Sequence, residues 1–484
     1  MTPSFDDKPS RLEPRDDMTK EERKRGLFCN RTLNLGGIQA IGYDMDYTLV
    51  HYDVVEWERC AYSFIKRKLL ERGFPVEDLE YDSEFVTRGL VMDTELGNIV
   101  KANRFGYIKR ACHSMRFLSH KEQRAVYRRA VVDLGESRWR FLNTFFSLSE
   151  ACMFAQLVGL FDQKALPSSM QTYLDLYKLV RSSLDLAHME GELKAMIVAD
   201  PERFVELDPE IVSTLLDQRD AGKKLLLITN SGWPFTQQMM SYCVDRYLPD
   251  GMSSWRELFE LVVVSARKPD FFLENQPTFV VTDASGTLLP DARLEGEALA
   301  YLGSDATQVE QYLGVDGSEI LYVGDHIYSD VHVSKAVRRW RTSVIIRELE
   351  SEVEAMLEFE DKQEALNGLM REKMLLEQQI DRLDLKAQRL AHGRPVDLRE
   401  EPAERQALLD AIDQIDERVA PMARASSRMV NRNWGLLMRT GNDKSHLARQ
   451  IERHADVYTS RVSNFGRLTP SSFLRSHRGT LPHD

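Results

Sequence analysis

The chain of 484 residues is short of cysteine, and the five it has, Cys29, Cys60, Cys112, Cys152 and Cys243, are odd in number and far apart. No CxxC pair or Cys/His cluster occurs, which argues against a disulfide framework and against a structural zinc site. No apolar run approaches the ~18 residues of a membrane span, so no membrane association is expected. The opening segment, MTPSFDDKPSRLEPRDDMTKEERKR, lacks the apolar stretch of a signal peptide, and a cytoplasmic location is expected. Positive charge is in deficit as well: 64 Lys plus Arg stand against 76 Asp plus Glu, a formal net charge of −12. Sequence-independent nucleic-acid binding depends on neutralising phosphates, so no nucleic-acid partner is expected. A small anionic ligand needs only a local positive site and stays open. What the chain does have is apolar mass, 43% of its residues. At roughly 150 residues per domain the length predicts about three units, or one core with large insertions.

The first 26 residues are charged and contain proline, and read as an arm. Ile38 to Tyr43 is a short apolar run that stops at Asp44. Three further runs have the same shape: Lys224–Ile228 ends at Thr229-Asn230-Ser231, Leu261–Val264 ends near Lys268, and Ile320–Val323 ends at Gly324-Asp325. A fifth covers Thr342 to Ile346. Continuous apolar strands separated by helical stretches predict a parallel sheet covered on both faces. In such sheets ligands bind beyond the carboxyl ends of the strands, where four of these runs deliver polar residues. The core is therefore placed at 27–50 and 200–348. The stretch 51–199 is far longer than an ordinary crossover and is read as an inserted cap with additional helices. Pro277 to Leu288 resembles a hairpin with a glycine-containing turn. Within 349–457, Leu366, Leu369, Leu376, Ile380, Leu383 and Leu390 follow 3–4 spacing. Leu408, Ile412, Ile415 and Val419 resume it after a break at His392-Gly393-Arg394-Pro395. Two long amphipathic helices forming an antiparallel pair are expected, packed internally or against another subunit. Residues 458–484 read as a loosely ordered tail.

Asp44-Met45-Asp46-Tyr47-Thr48-Leu49 follows the first strand directly. Two carboxylates two positions apart on a tight loop can divide labour, one as nucleophile and metal ligand, the other handling a proton. Carboxylates form covalent phosphoryl intermediates, and an oxygen-rich site suits Mg2+. Taken singly, DxD is a common turn, Thr229 a helix N-cap and Lys268 a solvated surface charge. Their arrival at successive strand ends turns the same residues into a candidate site.

The motifs DMDYTL, TNS, a Lys-Pro after the third strand and GDHIYSD resemble, in order, the four motifs of the haloacid dehalogenase (HAD) phosphohydrolase superfamily. Thr87 to Thr94 (TRGLVMDT), Gly97-Asn98, Lys101 and Arg453 to Tyr458 (RHADVY) are similar to blocks of the cytosolic purine 5′-nucleotidase family. Its members hydrolyse nucleoside 5′-monophosphates, especially 6-hydroxypurine ones, with Mg2+. The resemblance implies an α/β fold: a HAD-like Rossmannoid parallel sheet with a large, mainly helical cap insertion and a C-terminal helical hairpin region. It further implies that Asp44 attacks phosphorus and that Asp46 protonates the leaving oxygen and then activates water. Asp44, the Asp46 backbone carbonyl and Asp325 would hold Mg2+, supported by Asp330. Thr229, Asn230, Ser231 and Lys268 would bind the phosphoryl group. A phospho-enzyme would also let an acceptor nucleoside replace water. A homo-oligomer is expected.

Arg181, Asp185 and His188 share one helix face by spacing, which by itself reads as a surface ion pair beside a histidine. The family places its purine ring against matching residues, with Lys194 nearer the phosphate. Departures are Met115 and Arg116, where the resemblance leads us to expect an aromatic and an Asn, and Met189 in place of Tyr; a methionine covers a ring face with less shape specificity. Lys335, Gln450 and Arg453 are the nearest matches to the family's nucleotide-effector site. Two alternatives stand beside a purine nucleotidase: a HAD phosphatase for another small phosphomonoester, and a non-catalytic binding or scaffold protein.

Overall fold

A computed structural model describes residues 19–291, 293–295, 298–395 and 405–476. The apolar runs form the centre of a ten-stranded sheet. Seven consecutive strands are parallel: β1 (Ala40–Tyr43), β2 (Lys224–Ile228), β3 (Leu261–Val264), β4 (Ala300–Gly303), β5 (Ile320–Gly324), β6 (Arg341–Ile345) and β7 (Val457–Thr459), in the spatial order β7-β6-β5-β1-β2-β3-β4. β1 to β3, β5 and β7 bury almost every side chain, as strands covered on both faces must. Phe28–Cys29 caps the β7 edge antiparallel, and the hairpin Thr278–Val281/Leu288–Asp291 extends the β4 edge. That hairpin is the one expected from its turn.

Register decides what meets at the strand ends. Tyr43 pairs with Leu227 on one side and with Val323 on the other. Asp44, Thr229 and Asp325 therefore leave the sheet at nearly one level. Two glycines make the approach close enough. A Cβ on Gly42 would lie 2.8 Å from the ring of Tyr322, and one on Gly324 would lie 2.6 Å from the Asp330 carboxylate.

The insertion between β1 and β2 contains three packed helices, α1 (Val54–Glu71), α2 (Leu148–Asp162) and α3 (Tyr173–Glu190), followed by α4 (Glu192–Ala199). Asp53 caps α1 through the Glu56 amide, and Thr172 with Asp175 forms a capping box on α3. The stretch Phe145–Asp162 has a mean hydropathy of 1.2, high enough for a membrane span by composition, but two-thirds of it is buried inside the protein. It is the core helix of the cap. The insertion also carries a five-stranded antiparallel sheet running from Val91 to Phe141, which the sequence reading did not assign. Its strands are only two to six residues long, too short to show a clear alternation.

The expected helical pair is present as α5 (Glu360–Ala391) and α6 (Arg405–Ser426). Lys373 meets Asp416, and Arg405 reaches back to Asp384, so the two run antiparallel. Leu369, Ile380, Leu408 and Ile415 are buried in the seam between them. These four pack internally, while Leu390 at the end of the stripe is exposed. Two expected boundaries shift. Val457–Thr459 is a central-sheet strand rather than the end of a helical region, and the stretch read as a loose tail is packed as far as residue 474. Asn464 is fully buried and bonds Thr459 and Ser460, while Phe473–Leu474 pairs with Leu33–Asn34. Arg461 and Ser460 are bonded to Glu350, and Ser463 to Asp208. The described end of the arm is also tied down: Arg25 donates to Asn464 and Ser463. Residues 1–18 and 477–484 lie outside the described residues.

Candidate active site

The loop after β1 sets two carboxyls in different surroundings. Asp44 is 8% exposed. Its Oδ1 accepts from the Met45 amide at 2.8 Å and lies 2.9 Å from Lys268 Nζ. The same ammonium is 2.8 Å from Asp330 Oδ1 and donates to Tyr322 Oη at 3.0 Å. Tyr322 Oη in turn donates to the Ile228 carbonyl. Asp330 accepts the His326 amide on its other oxygen at 3.1 Å, which pins the loop following β5. Oxygens of Asp44, Asp325 and Asp330 lie within 4.8 Å of one another.

Three buried carboxyls facing one buried ammonium leave an excess of negative charge. Burial, with Asp330 and Asp46 adding to it and Lys268 opposing, raises the Asp44 carboxyl to about 7. Burial, with Asp330 and Asp44 adding to it, pushes Asp325 well up. Burial works against the Lys268 ammonium, but Asp330 and Asp44 outweigh it and hold it well above the ordinary lysine range. Among the described residues Asp325 Oδ2 is buried without a hydrogen-bond partner, a costly arrangement for a carboxylate. A hard dication among these oxygens would remove both the charge excess and the orphaned acceptor, so the donor set fits Mg2+.

The loop after β2 forms the opposite wall. Thr229 is fully buried, and its Oγ1 accepts from the Ser231 amide at 3.1 Å. Asn230 uses its side chain on the Lys268 peptide: Oδ1 accepts from the Lys268 amide at 2.6 Å and Nδ2 donates to its carbonyl at 3.1 Å. Helix Trp233–Val244 begins directly after the loop with no side-chain cap, which leaves amides and the positive helix end available to an anion. Asp46 accepts from Tyr52 Oη on Oδ1 and from Ser231 Oγ on Oδ2, both at 2.6 Å. Lys194 Nζ donates to Ser231 Oγ at 2.9 Å.

These residues open onto a cavity of about 660 Å3 that runs from Asp46, Asn230 and Ser231 into the cap. Of the residues placed at the substrate, Arg181 and Lys194 line it. Asp185 does not; it is half exposed and pairs with Arg181 at 2.9 Å. The side chains of His188 and Met189 lie outside the described residues. Met115 and Arg116 are also remote from the cavity lining. Met115 is exposed and Arg116 pairs with Glu122, so the departures noted there do not shape this wall. The wall is built instead by Trp139, Arg140, Phe141, Phe146, Glu150 and Tyr177. Glu150 is 3% exposed by side chain, takes Arg181 Nη1 at 3.3 Å on one oxygen, and has the other buried without a partner among the described residues. Burial raises its carboxyl to about 6, with Arg181 opposing. Arg140 lies 5.2 Å over the Tyr177 ring, with its Nε buried and unpartnered among the described residues. No catalytic spacing marks residues 139–150 in the sequence; the only local signal is a dense run of aromatics before a helix. At the effector matches, Lys335 is paired with Asp456 and Gln450 with His446.

A profile of the 5′ nucleotidase family matches residues 27–484. A 5′-nucleotidase domain-containing protein of Dictyostelium discoideum is 26% identical over 475 residues, covering 95% of this chain and 74% of that protein. Among solved structures, a predicted phosphoglycolate phosphatase from Haemophilus somnus 129PT shares 13% identity at a TM-score of 0.29, covering 64% of this chain and 85% of its own. An archaeal β-phosphoglucomutase from Pyrococcus sp. strain ST 04 shares 12% at 0.27, covering 64% and 87%. At TM-scores this low neither likeness bears on what the site does.

Proposed function

Because the chain belongs to the 5′ nucleotidase family and is a phosphoric monoester hydrolase, we propose that it is a Mg2+-dependent 5′-nucleotidase acting on purine nucleoside monophosphates of the IMP and GMP type. One observation carries the reading. Asp44, Asp46, Thr229, Lys268, Asp325 and Asp330 converge from four strand ends beside a cavity of about 660 Å3 that runs into the cap.

Asp44 attacks phosphorus as the P–O5′ bond breaks, and Asp46 gives its proton to O5′. Water then attacks the aspartyl-phosphate, Asp46 takes the water's proton, and Asp44 is regenerated. Lys268 neutralises a phosphoryl oxygen, while Thr229 and the amides of the 230–232 loop orient the group. Asn230 contributes through Lys268, whose peptide it holds in place. Asp44, the Asp46 carbonyl and Asp325, backed by Asp330, would hold Mg2+, which when bound supplies charge stabilisation to the phosphoryl oxygens. In the cavity beyond, Arg181 and Lys194 offer donors to the nucleotide. A nucleoside seated where water enters would accept the phosphoryl group instead.

The second reading, a phosphatase for another small phosphomonoester, draws on Asp185 lying outside the cavity wall. A phosphate-release screen over nucleoside monophosphates and sugar phosphates, with and without Mg2+ and acceptor inosine, separates the two. Preferential release from IMP or GMP supports the nucleotidase. Equal or better release from sugar phosphates overturns it.

A further inference from the structure

Tyr52 has a hydroxyl that packing does not need. The residue is 2% exposed, its ring 4.6 Å from Trp57 and 5.2 Å from Tyr47 by centroid. In such surroundings a phenylalanine would pack as well, and a buried hydroxyl is costly unless it is bonded. Among the described residues its hydroxyl has one partner, Asp46 Oδ1 at 2.6 Å. The other oxygen of the same carboxyl is held by Ser231 Oγ, which Lys194 secures from the cap helix α4. Tyr52 also lies on the two-residue strand His51–Tyr52, whose partner Val205–Glu206 is where the chain returns from the cap, with Tyr52 opposite Val205. Asp46 is therefore gripped at the entry to the cap by Tyr52 and, through Ser231, by a cap lysine near the exit.

We propose that Tyr52 is a positioning residue for proton transfer by Asp46, and that through it the placement of the carboxyl is tied to the strand pair joining cap and core. The inference rests on the phosphatase reading above. When P–O5′ breaks, its electron pair goes to O5′, which must take the Asp46 proton. A carboxyl free to rotate would spend part of its time out of reach, and positioned general acids contribute large factors. An aryl phosphate such as p-nitrophenyl phosphate makes no such demand, because its phenolate leaves without a proton.

The test compares wild-type full chain with Tyr52→Phe on a nucleoside 5′-monophosphate and on p-nitrophenyl phosphate, reading kcat/KM so that only steps through phosphorylation count. The expected result is a loss of about 10-fold or more on the nucleotide, a change of less than about 3-fold on the aryl phosphate, and a melting temperature within a few degrees of wild type. Should the variant melt early, Tyr52→Phe is assayed below its own midpoint on aryl phosphates of rising leaving-group pKa, and the loss must grow with that pKa. Equal losses on both substrates, or no loss on either, would overturn the proposal while leaving the phosphatase reading intact. If wild-type protein releases phosphate from neither substrate, the phosphatase reading itself fails.

Discussion

The two ends of one cavity are built by opposite rules. At the phosphate end, side chains come from strand termini whose register fixes them, and polar atoms of different loops are bonded to one another, with Asp325 Oδ2 left where a cation would sit. At the far end, charged groups sit on cap elements, Arg181 is 45% exposed by side chain, and Glu150 Oε1 and Arg140 Nε are buried without partners among the described residues. The first arrangement suits chemistry that must be reproduced to a fraction of an ångström. The second leaves hydrogen-bonding capacity unspent for a ligand to complete. Catalysis and selectivity are thus separable along the cavity, and substitutions at each end should fail differently.

The largest effect is expected from Asp44→Asn: loss of phosphate release on the order of 10^4-fold or more, with the fold retained by circular dichroism. Turnover at wild-type rate would refute Asp44 as nucleophile. Lys268→Met should lower kcat by about 100- to 1000-fold on nucleotides and aryl phosphates alike, since it removes the ammonium that pairs with Asp44 and Asp330. A loss confined to nucleotides would erase the distinction between the ends.

A third test contrasts buried acids with and without a counter-charge. Glu58 is fully buried in the cap, accepts the Ser149 amide at 2.5 Å, and among the described residues pairs with no cation. Burial raises it from an ordinary 4.5 to about 8. A carboxyl raised on folding binds its proton more tightly in the native state. Its contribution is full below pH 4.5 and is lost as pH climbs through about 8, a span worth on the order of a few kcal/mol. Glu58→Gln should flatten the decline of melting temperature between pH 5 and 8 relative to wild type; parallel curves would show that Glu58 stays ionised. Glu150→Gln should raise KM for a nucleotide by about 10-fold and leave p-nitrophenyl phosphate within about 2-fold. Equal effects on both would place Glu150 outside ring recognition. Smallest is Lys373→Met in the helical pair, where an ion pair to a half-exposed Asp416 is worth less than about 1 kcal/mol; a larger drop in chemical-denaturation stability would mean that the pair anchors more than itself.

The same contrast explains what could be read from the sequence. Each phosphate-end residue follows an apolar strand by one to four positions, so strand recognition alone brings Asp44, Thr229, Lys268 and Asp325 to one sheet edge. The helical pair was legible for a similar reason, a long and regular spacing from Leu366 to Val419. The cap end has no such local grammar. Trp139, Arg140 and Phe141 form a three-residue strand whose sheet partners are Val91–Asp93, and Glu150 faces the cavity only because α2 packs against α1 and α3. Those are tertiary facts with no short-range trace. Val457–Thr459 escaped for another reason. It is a three-residue strand that pairs with β6 across more than a hundred intervening positions, and its apolar content is too brief to stand out beside the helices before it.

The reciprocal bonds between the Asn230 amide and the Lys268 peptide weld two loops that belong to different strands into one stiff plate. An anion landing on the Thr229 loop cannot drag that loop without carrying the ammonium along, so the spacing between hydroxyl and cation is a property of the fold and not of the guest. Whatever phosphate ester the cap admits would meet the same fixed template, and variety among substrates would be accommodated by the roof while the floor stays still.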